Sequence, residues 1–192
     1  MKITVTGSLG YVSTPLIKEL IKKGHSVTVI SSKAERRAAI EALGATAAIG
    51  TMDDAGFLTE IFTGSDAVYC MLAPNISFTD PNNSAEMIIK QADKIAHNYV
   101  QAIRGSGVKR VVYLSSVGAD MAAESGLIKI HHQAEKILGL LPGDVSISFM
   151  RPVGFHKNLF AFIPAIKNQG LIAASYGGAD RNILVSDLDV AD

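Results

Sequence analysis

The sequence has no tryptophan, a single cysteine and no excess of charge of either sign. Because Cys70 is alone, no internal disulfide can form, and a reducing compartment suits the chain. The 18 basic and 18 acidic residues cancel, which argues against general binding to nucleic acid or to an anionic membrane. The longest apolar run, residues 67–74, is too short to cross a bilayer, and no targeting segment is visible. We therefore expect a cytoplasmic protein without nucleic-acid or membrane partners.

Apolar residues make up 48% of the 192 residues, which is enough for a core, and the length corresponds to about one domain. Runs rich in Val, Ile and Tyr without strict alternation predict buried parallel strands. These runs are residues 3–6, 26–30, 45–49, 67–72, 110–114 and 145–150. Helical spacing of apolar residues predicts helices at 11–23, 84–105 and 127–139. Glycines stand just past helical segments, where a helix stop is expected, at Gly24, Gly44, Gly64 and Gly107.

This alternation predicts an α/β fold, a doubly wound parallel sheet with helices on both faces. The end of the chain differs from the rest. Residues 182–186 predict one more strand, and Asp187 or Asp189 is expected to cap a helix of which only the start is present. We therefore expect the chain to stop inside a larger fold.

The first predicted strand leads directly into a glycine turn and a helix, formed by Gly7, Ser8, Leu9, Gly10, Tyr11, Val12 and Ser13. A helix N-terminus after such a turn suits an anion, because backbone N–H groups and the helix dipole point at it. Gly7 suits the tight turn and Gly10 the close approach of a pyrophosphate, whereas Ser13 stands where a third glycine is usual. The turn favours binding of a dinucleotide phosphate by residues 7–12; a purely structural turn is the alternative.

The second predicted strand ends without an acidic residue. NAD sites place Asp or Glu there to hold the ribose 2′-hydroxyl, whereas this strand ends in Ser31, Ser32 and Lys33, with Arg36 one turn on. Hydroxyls and cations suit a 2′-phosphate. The pattern favours NADP as the cofactor over NAD, and the alternative is that Lys33, Arg36 and Arg37 form the solvated face of a helix.

Several short motifs follow one another in an order that resembles the NmrA-like branch of the atypical short-chain dehydrogenase/reductases. The matching stretches are residues 4–10 (V-T-G-A-T-G in the family), 50–58 (G-D-h-x-D-x-x-S-L), 72–74, 111–116, His131-x-x-x-Glu135-x-x-Leu138, and Arg151-Pro152 followed by Asn158. The resemblance covers essentially the whole chain. It implies a Rossmann fold with a dinucleotide-binding domain at residues 1–150 and the start of a smaller C-terminal substrate or lid region at 151–192.

The resemblance also implies cofactor contacts away from the glycine turn. They are Thr51 and Met52 near adenine, Leu72, Ala73 and Pro74 along the groove, and Ser115, His131 and Phe155 at the nicotinamide end. Thr51 replaces the acidic residue usual in the family, so adenine recognition is expected to use backbone or hydroxyl contacts. The loop at residues 75–83 is a candidate lid.

The Tyr-x-x-x-Lys pair of ordinary short-chain dehydrogenases is missing, because Leu127 and His131 stand at its two positions. Tyrosine-dependent alcohol dehydrogenation is therefore disfavoured. His131 is the candidate catalytic donor of a proton or hydrogen bond, and Ser115 is expected to hydrogen-bond the nicotinamide or the substrate. The alternatives are that His131 only caps its helix or packs against it beside His132, and that Ser115 belongs to an ordinary turn. No metal site is expected, since His131 and His132 lack a third ligand.

Two classes of function remain. The first is an NADP(H)-dependent oxidoreductase that passes hydride to a small molecule such as a quinone or a carbonyl compound, similar to the NAD(P)H:quinone oxidoreductases of the branch. The second is a non-enzymatic redox sensor that binds the dinucleotide and acts through a protein partner. An isomerase or dehydratase ranks below both, and a homodimer is left open. An open pocket beside His131 would favour the enzyme, and a blocked pocket the sensor.

Overall fold

The computed structural model describes residues 1–73, 84–121, 126–172, 174 and 183–192. Its main sheet has six strands, β1 (Lys2–Val5), β2 (Ser26–Ser31), β3 (Thr46–Ile49), β4 (Ala67–Met71), β5 (Arg110–Leu114) and β6 (Ser146–Met150). They lie in the order β3-β2-β1-β4-β5-β6, and every neighbouring pair is parallel. The predicted doubly wound parallel sheet is therefore confirmed. The order reverses between β1 and β4, and such a reversal opens a crevice at the carboxyl ends of the strands.

The described helices are α1 (Ser13–Lys22), α2 (Arg37–Glu41), α3 (Ala55–Phe62), α4 (Ala85–Ser106), α5 (Lys129–Leu138), α6 (Ile163–Gln169) and α7 (Asp187–Ala191). Short 3₁₀ segments precede α2, α5 and α6, at Ala34–Arg36, Gly126–Ile128 and His156–Phe162. Two short strands, β7 (Gly154–Phe155) and β8 (Leu184–Val185), pair in parallel as a separate sheet. None of the helices in these ranges has the length and apolar character needed to cross a bilayer.

Two hydrophobic layers cover the two faces of the sheet. One contains α3, α4 and α5, and its largest buried side chains include Phe62, Tyr99 and Tyr113. The other contains α1, α2 and α7, with Ile17, Ile40 and Ala191 buried against β1 and β2. The two layers cover both faces of β1, β2 and β4, which explains their continuous apolar runs, whereas Val112 of β5 and Met150 of β6 are exposed.

Three details differ from the sequence prediction, two of them in the C-terminal region. The strand is confined to Leu184–Val185 among the described residues, rather than 182–186. The N-cap of α7 is Ser186, whose Oγ accepts a hydrogen bond from the backbone N–H of Leu188 at 3.1 Å. Asp187 does not cap this helix, because its carboxylate is 2.7 Å from the Nζ of Lys157. The helix predicted at 127–139 begins at Lys129, after the 3₁₀ segment.

Candidate functional site

The turn after β1 favours glycine at position 7. Gly7 has φ +89°, and a Cβ placed there would lie 2.1 Å from Sδ of Met71. Ser8 follows with φ +60°, a left-handed conformation that is uncommon for serine. The backbone of β1 therefore turns sharply at the crevice between β1 and β4, and the N–H of Ser8 donates to the carbonyl oxygen of Ile30 at 3.0 Å.

The first turn of α1 follows this loop without a side-chain cap. Val12 occupies the N-cap position, and no side chain of the described residues hydrogen-bonds to it. Ser13, at the place of the usual third glycine, is 1% exposed. Its small side chain lets α1 start close to the sheet. The uncapped N–H groups and the helix dipole make this turn suited to an anion.

A first cavity, of about 240 Å³, lies between the ends of β1, β2 and β3. The predicted cofactor residues that line it are Gly7, Ser8, Ser31, Ser32, Thr51, Met52 and Ala73. Its polar wall is ordered by a hydrogen bond of 3.0 Å between the hydroxyls of Ser8 and Ser31, and by the N–H of Lys33, which donates to Ser31 Oγ. Asp53 also lines this cavity, so a carboxylate stands two residues beyond Thr51.

The basic residues after β2 fall into two groups. One Nη of Arg36 donates to the carbonyl oxygen of Leu9 at 3.3 Å, so its guanidinium reaches the glycine turn. Lys33 is exposed and begins the same short 3₁₀ segment. Within the described ranges, neither residue is paired with a carboxylate. Arg37 is different, because it lies 3.5 Å from Glu41 Oε1 and donates to the carbonyl of Ala47.

Two further cavities continue the first along the carboxyl edge of the sheet. The second, of about 210 Å³, is lined by Gly7, Gly10, Tyr11, Val12 and Phe155 among the predicted residues. The third, of about 290 Å³, is lined by Leu72, Ser115, His131 and again Phe155. Since Gly7 is shared by the first two cavities and Phe155 by the last two, the three form one groove.

Three predicted residues border this groove without being among those that line it. Leu9 lines a neighbouring cavity beside Lys157, whose Nζ lies 4.3 Å from the ring centroid of Tyr11. Lys33 and Arg36 are beyond the residues that line the first cavity. Pro74 and the loop at 75–83 lie outside the described residues.

Ser115 lies at the carboxyl end of β5 and belongs to a polar cluster. Its hydroxyl donates to Glu135 Oε1 at 2.5 Å, and the guanidinium of Arg151 holds the same carboxylate through both oxygens. Burial alone would raise the pKa of Glu135, but the hydrogen bonds from Arg151 and Ser115 outweigh it, so the pKa is lowered. Glu135 is therefore ionised near neutral pH, and the hydroxyl proton of Ser115 is engaged with it.

His131 lies on α5 and lines the third cavity. Its Nδ1 is 3.1 Å from Oη of Tyr113, a residue of β5 with no exposed surface. Burial lowers the pKa of His131, although the negative charge of Glu135 acts in the opposite direction. The imidazole is therefore neutral at pH 7.

Four supporting residues escaped the sequence prediction. The Tyr99 hydroxyl donates to the carbonyl of Met71 at 2.8 Å and lies 3.1 Å from Thr6 Oγ1, and Asn98 donates to the carbonyl of Met52. Helical spacing predicted the helix that carries Tyr99 but gave no sign of the hydrogen bonds of its hydroxyl. The pairings of Tyr113 with His131 and of Arg151 with Glu135 join distant parts of the sequence, which no local signal reveals.

The fold and the groove define a dinucleotide-binding protein of the doubly wound class. A family model described as "NAD(P)H-binding" matches residues 7–144. The chain belongs to this NAD(P)H-binding family, and its resemblance to the NmrA-like branch is confirmed.

Individual relatives share little sequence with the chain. The photosystem II assembly factor Ycf39 of Synechocystis is 24% identical over 174 residues, which are 89% of this chain and 51% of that protein. The Escherichia coli NADPH-dependent quinone oxidoreductase QOR2, solved with NADPH, is 22% identical with a TM-score of 0.77, covering 98% of this chain and 62% of its own. The Citrobacter triphenylmethane reductase, solved with NADP(H), is 19% identical with a TM-score of 0.75, covering 100% and 63%. The chain thus spans about half the length of the curated relative it matches.

Proposed function

We propose that this protein binds NADPH in the groove and orients it for hydride transfer to a small acceptor, with a quinone as the best candidate. The observation that carries the proposal is that β2 ends in serines instead of an acidic residue. There, Ser31 and Ser32 line the adenosine side of the groove, where an NAD site would have an acidic residue. A 2′-phosphate therefore meets no carboxylate at the end of β2, and Asp53, which lines the same cavity, lies 3.4 Å from the Nζ of Lys94.

The cations beside β2 complete the argument for NADP. Arg36 is tethered to Leu9 and so stays at the edge of the groove, and Lys33 is one turn away. A guanidinium forms strong charge-assisted bonds with phosphate, because its N–H groups match the phosphate oxygens. The pyrophosphate would lie between the first and second cavities, at the uncapped N-terminus of α1.

At the other end of the groove, the residues fit an electron-accepting small molecule. When bound, the reduced nicotinamide supplies a hydride, that is, one proton with two electrons. His131 lines the cavity and presents a hydrogen-bond donor to the acceptor oxygen that gains the negative charge. Ser115 and Asn158 line the same cavity and would orient the nicotinamide amide and the acceptor. One proton taken from water completes the two-electron reduction.

A quinone suits this site better than a simple ketone. The reduced quinone is a resonance-stabilised phenolate, so its formation needs less assistance from a strong acid, and the site has no tyrosine at position 127. The family of QOR2, a quinone oxidoreductase with the same fold, supports the choice. We propose that residues 151–192, which supply Phe155 and Asn158, begin the region that holds the acceptor.

The open third cavity, of about 290 Å³, also bears on the alternative of a redox sensor. A sensor needs only the dinucleotide, whereas a cavity beside His131 leaves room for a second small molecule. The geometry of the described residues therefore favours the oxidoreductase.

The cofactor proposal is tested by calorimetric titration of NADPH and NADH into the wild-type protein and into two matched variants. Arg36→Gln removes the cation at the groove and should weaken NADPH binding about tenfold or more, while NADH affinity changes little. Arg37→Gln is the control, because Arg37 is engaged with Glu41 and β3. Equal affinities of the wild-type protein for both cofactors, or equal losses in both variants, would contradict the NADP assignment.

Turnover is tested separately, by following the absorbance of NADPH after adding a benzoquinone. Oxidation of NADPH that depends on both the protein and the quinone is the expected result. Tight NADPH binding without oxidation by benzoquinones, naphthoquinones or carbonyl compounds would favour the sensor.

A further inference from the structure

Tyr113 is a buried tyrosine that has no part in the proposed function. Its ring packs edge-on against Phe149, with the centroids 6.1 Å apart, and its side chain has no exposed surface. Its hydroxyl lies 3.1 Å from Nδ1 of His131, a residue that lines the third cavity. A hydroxyl in the core needs a partner, because leaving it unpaired costs its full desolvation.

The direction of this hydrogen bond follows from the donors and acceptors present. Among the described residues, His131 Nδ1 is the hydrogen-bond partner that the structure provides for the Tyr113 hydroxyl. If Nδ1 carried a proton and donated it, the hydroxyl proton of Tyr113 would be buried without an acceptor. If Nδ1 is unprotonated, it accepts that proton and both groups are satisfied.

We propose that Tyr113 donates to Nδ1 of His131 and thereby fixes this histidine as the neutral tautomer with its proton on Nε2. Nδ1 faces Tyr113, so Nε2 is the ring nitrogen left to face the cavity. Tyr113 is thus a positioning residue, which acts through His131. The consequence for the reaction rests on the proposed function: through Nε2–H, His131 donates a hydrogen bond to the acceptor oxygen and stabilises the negative charge that develops there.

The same hydrogen bond implies that His131 does not act as the acid that protonates the acceptor. A neutral imidazole is a very weak acid, so the proton that completes the reduction comes from water rather than from Nε2. A cationic His131 would need a proton on Nδ1, and the Tyr113 hydroxyl would then lose its acceptor. The charged group that would favour the cation is Glu135 on the same helix, but its oxygens are held by Arg151 and Ser115. Burial acts in the same direction as Tyr113, since it lowers the pKa of His131.

Nitrogen-15 NMR of the cofactor-free protein tests this proposal directly, because the shifts of the two ring nitrogens report which one carries the proton. The His131 signals are assigned by their loss in His131→Gln. In the wild-type protein at pH 7, we expect Nε2 protonated and Nδ1 in its acceptor form. In Tyr113→Phe, we expect the ratio of the two tautomers to change about fivefold towards Nδ1–H, and the pKa of His131 to rise towards its ordinary value.

Tyr69→Phe is the matched control. Tyr69 lies on the neighbouring strand β4 and is also buried, but its hydroxyl has no hydrogen-bond partner among the described residues. Its removal should leave the His131 signals unchanged. A wild-type His131 that is protonated on Nδ1 or cationic at pH 7 would overturn the proposal, whether or not Tyr113→Phe folds. So would a Tyr113→Phe protein with the wild-type tautomer ratio.

The measurement also separates this proposal from the proposed function. It needs neither cofactor nor acceptor, so a protein that fails to oxidise NADPH can still show the fixed tautomer. Conversely, a mixed tautomer in an active quinone reductase would refute the role of Tyr113 alone.

Discussion

Replacing Gly7 by alanine should destabilise the fold and abolish cofactor binding together. The methyl group would lie 2.1 Å from Sδ and 2.7 Å from Cγ of Met71, and the backbone has φ +89° at this position. The left-handed backbone costs an L-residue about 1–2 kcal/mol. Displacing a packed side chain costs about 1–3 kcal/mol more. We therefore expect the free energy of unfolding to fall by about 2–5 kcal/mol in total.

Urea denaturation measures the free energy of unfolding, and calorimetric titration with NADPH measures the binding. Gly10→Ala is the control, because a Cβ at Gly10 meets only Ser13 Oγ, at 3.8 Å, and the backbone there is not left-handed. Its stability should stay within about 0.5 kcal/mol of the wild type. Its NADPH affinity should still fall, since Gly10 lines the groove where the phosphates would lie. If Gly7→Ala were as stable as Gly10→Ala, the steric account of the turn would be wrong.

Two further substitutions test the contacts that support the groove. Glu135→Gln should lower the free energy of unfolding at pH 7 by about 1–2 kcal/mol, a modest loss because Arg151 is partly solvent-exposed. Since the folded-state pKa of Glu135 lies below its ordinary value, this stabilisation is present above the ordinary pKa and disappears as the pH falls through the folded one. Denaturation from pH 7 to pH 3 should show the two proteins converging, and a constant difference would refute the ion-pair account. Tyr99→Phe should lower the free energy of unfolding by about 1–2 kcal/mol, because the carbonyl of Met71 loses its donor; an unchanged thermal midpoint would contradict this.

The strands and the glycine turn could be predicted because their signals are local. Residues 110–114 were placed without error because Val, Tyr and Leu favour a strand, although the structure buries Val111 and Tyr113 on one face and leaves Val112 exposed on the other. The turn needs a left-handed backbone, which only glycine adopts readily, and Gly7 shows that conformation. Ser31 and Ser32 were placed at the groove for a different reason: the carboxyl ends of parallel strands meet at one edge of the sheet.

Local signals were insufficient where a side chain takes its partner from far along the chain. Asp187 has the residue type of a helix cap, but its carboxylate pairs with Lys157, and Ser186 caps the helix instead. This pairing could not be predicted from the sequence, because it depends on the position of the 3₁₀ segment that carries Lys157.

By itself, the sequence determined the α/β class and the position of the glycine turn, because each depends on neighbours within a few residues; the strand order came only from the tertiary structure. The tertiary structure alone decided which way the polar groups of the site point. The Ser115 hydroxyl donates a hydrogen bond to Glu135, whose carboxylate Arg151 binds, and Nδ1 of His131 faces the hydroxyl of Tyr113. Those pairings decide whether a group donates or accepts, and they exist only once β5, α5 and the end of β6 are packed together.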